Sequence, residues 1–119
     1  MPNDVYRSYV TKILADNRTK NFVQRILNPS MFPSLPNPDG TMSTHKMSWA
    51  DDGAGNAIVY PTIVYDNYTK KLSRLEPRAA IDRAISTGEF IYFPSSRYGG
   101  KAKNEAEWFS TNYKRYWDK

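Results

Sequence analysis

Residues 51–66 read Asp51-Asp52-Gly53-Ala54-Gly55-Asn56-Ala57-Ile58-Val59-Tyr60-Pro61-Thr62-Ile63-Val64-Tyr65-Asp66. The first six are turn formers: Asp and Asn side chains bond to nearby backbone, and glycine reaches positive φ without steric cost. The run from Ala57 to Asp66 is the most strand-like in the chain, rich in Val, Ile and Tyr. Before the turn, from Thr41 to Trp49, odd positions hold His45, Met47 and Trp49 while even positions include Thr44, Lys46 and Ser48, a period of two with Met42 as the exception. The segment predicts a β-hairpin with His45, Met47 and Trp49 on the buried face. In the second strand Val59 and Ile63 lie on one face and Ile58, Tyr60 and Val64 on the other, so both faces are expected to be covered. Pro61 calls for an edge position or a bulge, because it has no N–H to give to a ladder.

Beyond the hairpin, the residues Asp66 to Lys70 form a second turn leading into a short, more exposed strand, Lys71 to Leu75. Pro77 suits the first turn of a helix whose inward residues would be Ala80, Ile81, Ala84 and Ile85, with Gly88 as its stop. Phe90 to Phe93 reads as a short strand and Pro94 to Lys101 as a loop. The last segment carries Ala102, Ala106, Phe109, Tyr113 and Tyr116 at spacings of three and four, which predicts a C-terminal helix. Asn104 and Glu107 resemble a capping box at its start.

Ahead of the hairpin, Val5, Tyr9, Val10, Ile13 and Leu14 recur at helical spacing, and Phe22, Val23, Ile26 and Leu27 repeat the pattern until Pro29 forces an end near Asn28. These are two helices or one bent helix. Residues 29–40 hold four prolines and close on Asp39-Gly40, an ordered and extended connector with Met31, Phe32 and Leu35 as apolar grips. The expected fold class is therefore α+β, with a small antiparallel sheet of three or four strands packed with helices and with N-terminal and C-terminal amphipathic helices. A chain of 119 residues predicts a single domain, with a helical segment at 1–28, the connector at 29–40 and an α+β core at 41–119.

Seventeen Lys and Arg against twelve Asp and Glu leave a net charge of +5, which suits an acidic partner. With no cysteine, thiolate nucleophiles, Cys-based zinc sites, iron–sulfur clusters and disulfides are excluded. The longest apolar stretch, broken by Pro61 and Thr62, is far shorter than the roughly 20 residues that span a bilayer. The first residues lack the pattern of a secretory signal, so no membrane insertion and a cytoplasmic site of synthesis are expected.

His45 is the only histidine and the first suspect for acid–base chemistry. Its place on a strand face with Met47 and Trp49 favours a structural role. Thr44 points to the opposite face, so Ser43-Thr44-His45 does not make a triad. Asp51, Asp52 and Asn56 could offer oxygens to calcium, but the twelve-residue loop ending in Glu is missing. No metal, cofactor or catalytic residue is expected. The most distinctive constellation is basic and aromatic: Arg97, Lys101, Lys103, Trp108, Lys114, Arg115 and Trp117 mark a surface for a partner or for nucleic acid.

Three further runs belong together: Phe22 to Pro29 (FVQRILNP), Asn37 to Met47 (NPDGTMSTHKM) and Tyr60 to Val64 (YPTIV). With the helix ending Thr87-Gly88-Glu89-Phe90-Ile91 and the terminal run Ala106 to Lys114 (AEWFSTNYK), they resemble a small domain of tailed bacteriophages. That domain occurs as short stand-alone phage proteins and as a module of large virion proteins, including internal proteins ejected with the genome. The resemblance spans about residues 20–116 and places the family pattern on Ser43, Thr44, His45, Pro61 and Thr62, with Gly88 at the helix end. It implies a non-enzymatic structural or accessory protein of a phage particle, made in the host cytoplasm, whose partner is another virion protein of the capsid, tail or interior. The first helix, before Asn17, lies outside the pattern and could pack on the domain or dock on a neighbouring subunit. Two alternatives are a basic nucleic-acid-binding or host-directed inhibitor protein made during infection, and a hydrolase accessory using His45.

Overall fold

The computed structural model describes residues 3–37, 39–43, 46–66 and 68–117. The elements run α1 (Asn3–Asp16), α2 (Asn21–Leu27), a 3-10 turn (Pro29–Met31), β1 (Leu35–Pro36), β2 (Met42–Ser43), β3 (Met47–Asp51), β4 (Ala57–Pro61), β5 (Ile63–Asp66) and β6 (Lys71–Arg74). They continue with α3 (Pro77–Thr87), β7 (Ile91–Phe93), α4 (Ser95–Tyr98), a 3-10 turn (Gly99–Lys101) and α5 (Ala102–Trp117). The fold is α+β, with strands in three small sheets ordered β1-β2, β3-β4-β7 and β5-β6. The chain divides into two compact units, one formed by Met1–Arg18, Ser48–Val59 and Ile91–Lys119, the other by Thr19–Met47 and Tyr60–Phe90.

The first unit holds α1, most of the hairpin, β7 and α5. The turn forms as its residues dictate: the Asp51 carboxylate accepts from the Gly53 N–H at 3.0 Å, and Asp52 accepts from Ala54 N–H at 2.8 Å and from the Asn56 side-chain amide at 2.8 Å. The Asn56 side-chain oxygen Oδ1 in turn accepts from the Ser95 N–H at 2.9 Å, tying the turn to the start of α4. β4 and β7 are antiparallel, with Ala57 opposite Phe93 and Val59 opposite Ile91. Ala102, Ala106 and Phe109 have no exposure and Tyr113 is buried, so this stripe of α5 is the inward one, as its 4-3-4 spacing requires. Val10, Ile13 and Leu14 of α1 are buried too, and α1 packs on α5. Each large side chain taken fully out of water in this way contributes about 1.5–3 kcal/mol.

The second unit holds α2, the proline-rich connector, the β5-β6 ribbon and α3. Phe22, Val23 and Ile26 of α2 are buried, as are Tyr60, Ile63, Val64, Leu72, Ala80 and Ala84. Arg25 is the one buried charged residue among those described; its Nε donates to the Asn21 side-chain oxygen at 3.0 Å. Within the connector, Pro29–Met31 form a 3-10 turn, the Asp39-Gly40 turn closes with the Thr41 N–H on the Asp39 carboxylate at 3.0 Å, and β1 pairs antiparallel with β2. β5 and β6 pair from Ile63 opposite Arg74 to Asp66 opposite Lys71. Gly88 ends α3 in the left-handed conformation, φ 78.

Several expectations are corrected. The run from Ala57 to Asp66 is not one strand: it breaks at Thr62, and its halves join different sheets. Pro61 has no N–H, while the Thr62 N–H goes to the Lys46 carbonyl at 2.8 Å and the Thr62 carbonyl accepts from the Leu75 N–H at 2.9 Å, so both groups of Thr62 are drawn off to loops. The segment from Thr41 to Trp49 likewise divides into β2, paired with the connector, and the start of β3, where Met47, Ser48, Trp49 and Ala50 are all half-buried with no alternation. Thr44 and His45, and the side chain of Ser43, lie outside the described residues. α1 and α2 are two helices separated at Asn17–Lys20. Ile85 is 62% exposed rather than inward. The loop from Pro94 to Lys101 carries a helical turn and a 3-10 turn, and because these lead directly into α5, Asn104 lies inside the helix and not at its N-cap. No helix among the described residues is long and apolar enough to cross a membrane.

Candidate functional site

α5 has a second ordered flank beside its buried stripe. Glu105, Trp108, Asn112 and Tyr116, spaced 3-4-4, are all half-buried. On α1, Tyr6 and Tyr9 at i and i+3 take the matching positions. The Tyr6 ring stacks on Trp108 at 5.4 Å and meets Tyr116 at 5.2 Å, Trp108 stacks on Tyr116 at 5.7 Å, and Tyr9 tilts against Trp108 at 5.8 Å. These are the separations at which aromatic pairs attract beyond simple burial. The Tyr9 hydroxyl donates to Glu105 Oε1 at 3.1 Å. Burial, the adjacent Tyr98 phenol and the Glu105 carboxylate push the Tyr9 hydroxyl well above the ordinary phenol range.

Two open hollows flank the Trp108 indole. One, about 390 Å³, is lined by Val5, Tyr6, Tyr9, Glu105 and Trp108. The other, about 400 Å³, is lined by Asn104, Glu107, Trp108, Thr111 and Asn112. The first is aromatic with a single carboxylate. The second is polar, also with one carboxylate, and there the Asn112 amide donates to the Trp108 carbonyl at 3.0 Å and the Thr111 hydroxyl to the Glu107 carbonyl at 2.8 Å. Trp and Tyr are enriched among the residues that anchor protein interfaces.

The basic residues singled out from the sequence all lie in this unit, on α4, the following 3-10 turn and α5, and Arg97, Lys101, Lys103, Lys114 and Arg115 are exposed. Lys103 and Lys114 share a face of α5 but sit eleven residues apart, roughly 16 Å along the axis, with Glu107 between them. Three cations rest on rings of their own chain: Arg97 over Tyr98 at 5.5 Å, Lys103 over Trp49 at 5.7 Å and Arg115 over Tyr116 at 5.9 Å. Trp108 is half-buried, with Tyr6, Tyr9 and Tyr116 packed against part of it. The side chain of Trp117 lies outside the described residues.

Of the second predicted group, Thr44, His45 and the side chain of Ser43 lie outside the described residues. Pro61 is fully buried, and Thr62 is held through both backbone groups. The oxygens of Asp51 and Asp52 are used as turn caps; the side-chain amide of Asn56 and the Ala54 N–H hold the Asp52 carboxyl below the usual carboxylate range. Among the described residues no three acidic or imidazole groups converge as metal ligands. What sequence reading misses is the partnership of Tyr6, Tyr9 and Glu105 with Trp108. Its signal is the 3-4-4 flank of α5 facing an i, i+3 tyrosine pair, but the two lie about a hundred residues apart. No family model, curated protein or solved structure matches the chain.

Proposed function

We propose that the chain is a non-enzymatic structural or accessory protein of a tailed bacteriophage, and that it binds another virion protein through the seam of α1 and α5. The observation that carries the binding face is the Tyr6–Trp108–Tyr116 cluster, half-buried and bordered on both sides of Trp108 by open hollows. An indole already fixed by three tyrosines loses little rotamer freedom when a partner covers it, so its burial goes further into affinity. The phage setting is supported by the resemblance over residues 20–116. The parking of Arg97, Lys103 and Arg115 on rings of their own chain favours a protein partner over nucleic acid.

The test begins with quantitative mass spectrometry of gradient-purified particles from the source infection, with copy number scaled to the major capsid protein. A fixed stoichiometry supports a virion component, and the number separates a capsid decoration from a tail or internal ring. Purified protein is then bound to dissociated particles as wild type and as Trp108→Ala, which should bind at least about tenfold more weakly, the scale of an aromatic anchor. Absence from particles together with no affinity for any particle component overturns the proposal.

A further inference from the structure

We propose that the hollow lined by Val5, Tyr6, Tyr9, Glu105 and Trp108 receives the guanidinium of an arginine on the partner protein, stacked against the aromatic wall and fork-bonded to Glu105. This rests on the reading of the α1–α5 seam as a protein-docking face and names the chemistry of what docks.

The argument starts from Glu105. Its carboxylate is half-buried among aromatic rings, accepts the Tyr9 hydroxyl on one oxygen, and makes no ion pair among the described residues, where the one salt bridge is Lys12–Asp16. Cations are near in sequence: Lys101 stands at the i−4 position, and Lys103 and Arg97 flank the same stretch. Lys103 and Arg97 instead lie over Trp49 and Tyr98. A carboxylate drawn partly out of water without a cation carries a desolvation cost that an apolar or amide side chain would avoid. Tyr9 could bond to Gln at this place as readily, so packing of the seam does not require the charge.

The walls fit the same ligand. The faces of Tyr and Trp attract a cation within about 6 Å. Arginine is the cation that offers a flat surface to stack and a rigid fork for a carboxylate, whereas lysine is a hydrated point charge. A volume of about 390 Å³ sits within the range of small-ligand sites and admits the head and part of the stem of one side chain. The second hollow also carries a carboxylate, Glu107. Acid thus borders both hollows beside Trp108, in a chain with five more basic than acidic residues. That local reversal of sign is charge complementarity toward a cationic partner.

The experiment titrates full-length protein with the capped tripeptide acetyl-Gly-Arg-Gly-amide, with its citrulline and lysine counterparts as controls. Nitrogen–proton correlation spectra are read at the Trp108 indole and the Glu105 amide, the indole being assigned with Trp108→Phe. The arginine peptide should shift both signals saturably, with the uncharged citrulline isostere at least tenfold weaker and the lysine peptide several-fold weaker. In Glu105→Gln, which keeps an acceptor for Tyr9 and so keeps the seam, the preference for arginine over citrulline should vanish. Equal response to arginine and citrulline, equal response to arginine and lysine, or no shift at Trp108 each overturns the inference. If Trp108→Ala still loses the particle component while the arginine probe does nothing, the docking reading survives and the guanidinium falls. If neither responds, both fall.

Discussion

Phe109 and Trp108 are neighbours in sequence with opposite duties, so replacing each by alanine separates core from site. Phe109 has no exposure; its ring lies 6.0 Å from Phe93 and 5.8 Å from Tyr113. Removing a buried phenyl to alanine costs about 3–5 kcal/mol through lost transfer energy and the cavity left behind. For a chain of this length 1 kcal/mol corresponds to about 4 °C in Tm, so Phe109→Ala should melt about 12–20 °C lower, against a total stability of about 5–15 kcal/mol. Phe109→Leu, which keeps most of the volume, should lose less than about 1.5 kcal/mol, and Lys114→Ala, exposed on the same helix, should stay within about 0.5 kcal/mol of wild type. Urea unfolding followed by far-ultraviolet circular dichroism, with the slope of the transition checked for constancy, measures all three. A loss below about 1.5 kcal/mol for Phe109→Ala would refute the placement of this ring in the core. Trp108→Ala should cost less stability than Phe109→Ala while removing partner binding.

Gly88→Ala should destabilise by about 1 kcal/mol: no atom lies within 4 Å of the added methyl group, so the cost is that of holding φ 78 with a side chain present, and Gly88→Asn should recover part of it. Thr62→Pro removes the N–H that reaches the Lys46 carbonyl and should cost at least about 1 kcal/mol; a neutral result in chemical denaturation would remove Thr62 as the join between the two loops. Because Tyr9 holds its proton more tightly in the folded chain than in the unfolded one, its contribution is complete below the ordinary phenol value near 10 and is lost as pH rises beyond it. Tyr9→Phe should flatten the alkaline limb of a stability–pH curve.

The α+β class and most element positions are legible because local chemistry enforces them. Asp52 and Asn56 bond within their own turn, and Gly88 ends α3 by adopting a conformation that other residues resist. What the pattern leaves ambiguous is decided by partners distant in sequence. Ala57 to Asp66 reads as one strand because its Ile, Val, Tyr and Thr residues favour it, and only the positions of Lys46 and Leu75 reveal that Thr62 turns away. Ile85 continues the helical apolar stripe of α3, yet two small alanines, Ala80 and Ala84, are the residues that face inward. At the site, Trp108 is conspicuous from sequence, but its meaning depends on Tyr6 and Tyr9 at the other end of the chain. Glu105 reads as an ordinary first-turn acid, welcome at the positive end of a helix, until the tyrosines are seen around it.

Salt and charge-removal experiments separate the two kinds of partner that a basic, aromatic surface could serve. If Lys114 and Arg115 held phosphates, the double variant Lys114→Ala/Arg115→Ala would weaken binding to single-stranded nucleic acid. It would also lower the slope of log affinity against log salt by about 0.7 for each contact removed. The geometry gives these residues another place: both are exposed beyond the hollows, and Arg115 lies over Tyr116 at 5.9 Å, a ring of the seam itself. For a cationic partner docking beside Trp108 they are like charges at the rim. Removing them should leave affinity unchanged or slightly higher, mainly through faster association. Glu105→Gln should act in the opposite direction, reducing affinity and its dependence on salt together. Weakening by Glu105→Gln with no weakening by the double variant, measured on one particle component across a salt series, follows only if acid at the centre of the seam is what the partner reads. Weakening by the double variant with no effect of Glu105→Gln would transfer the site to its basic rim.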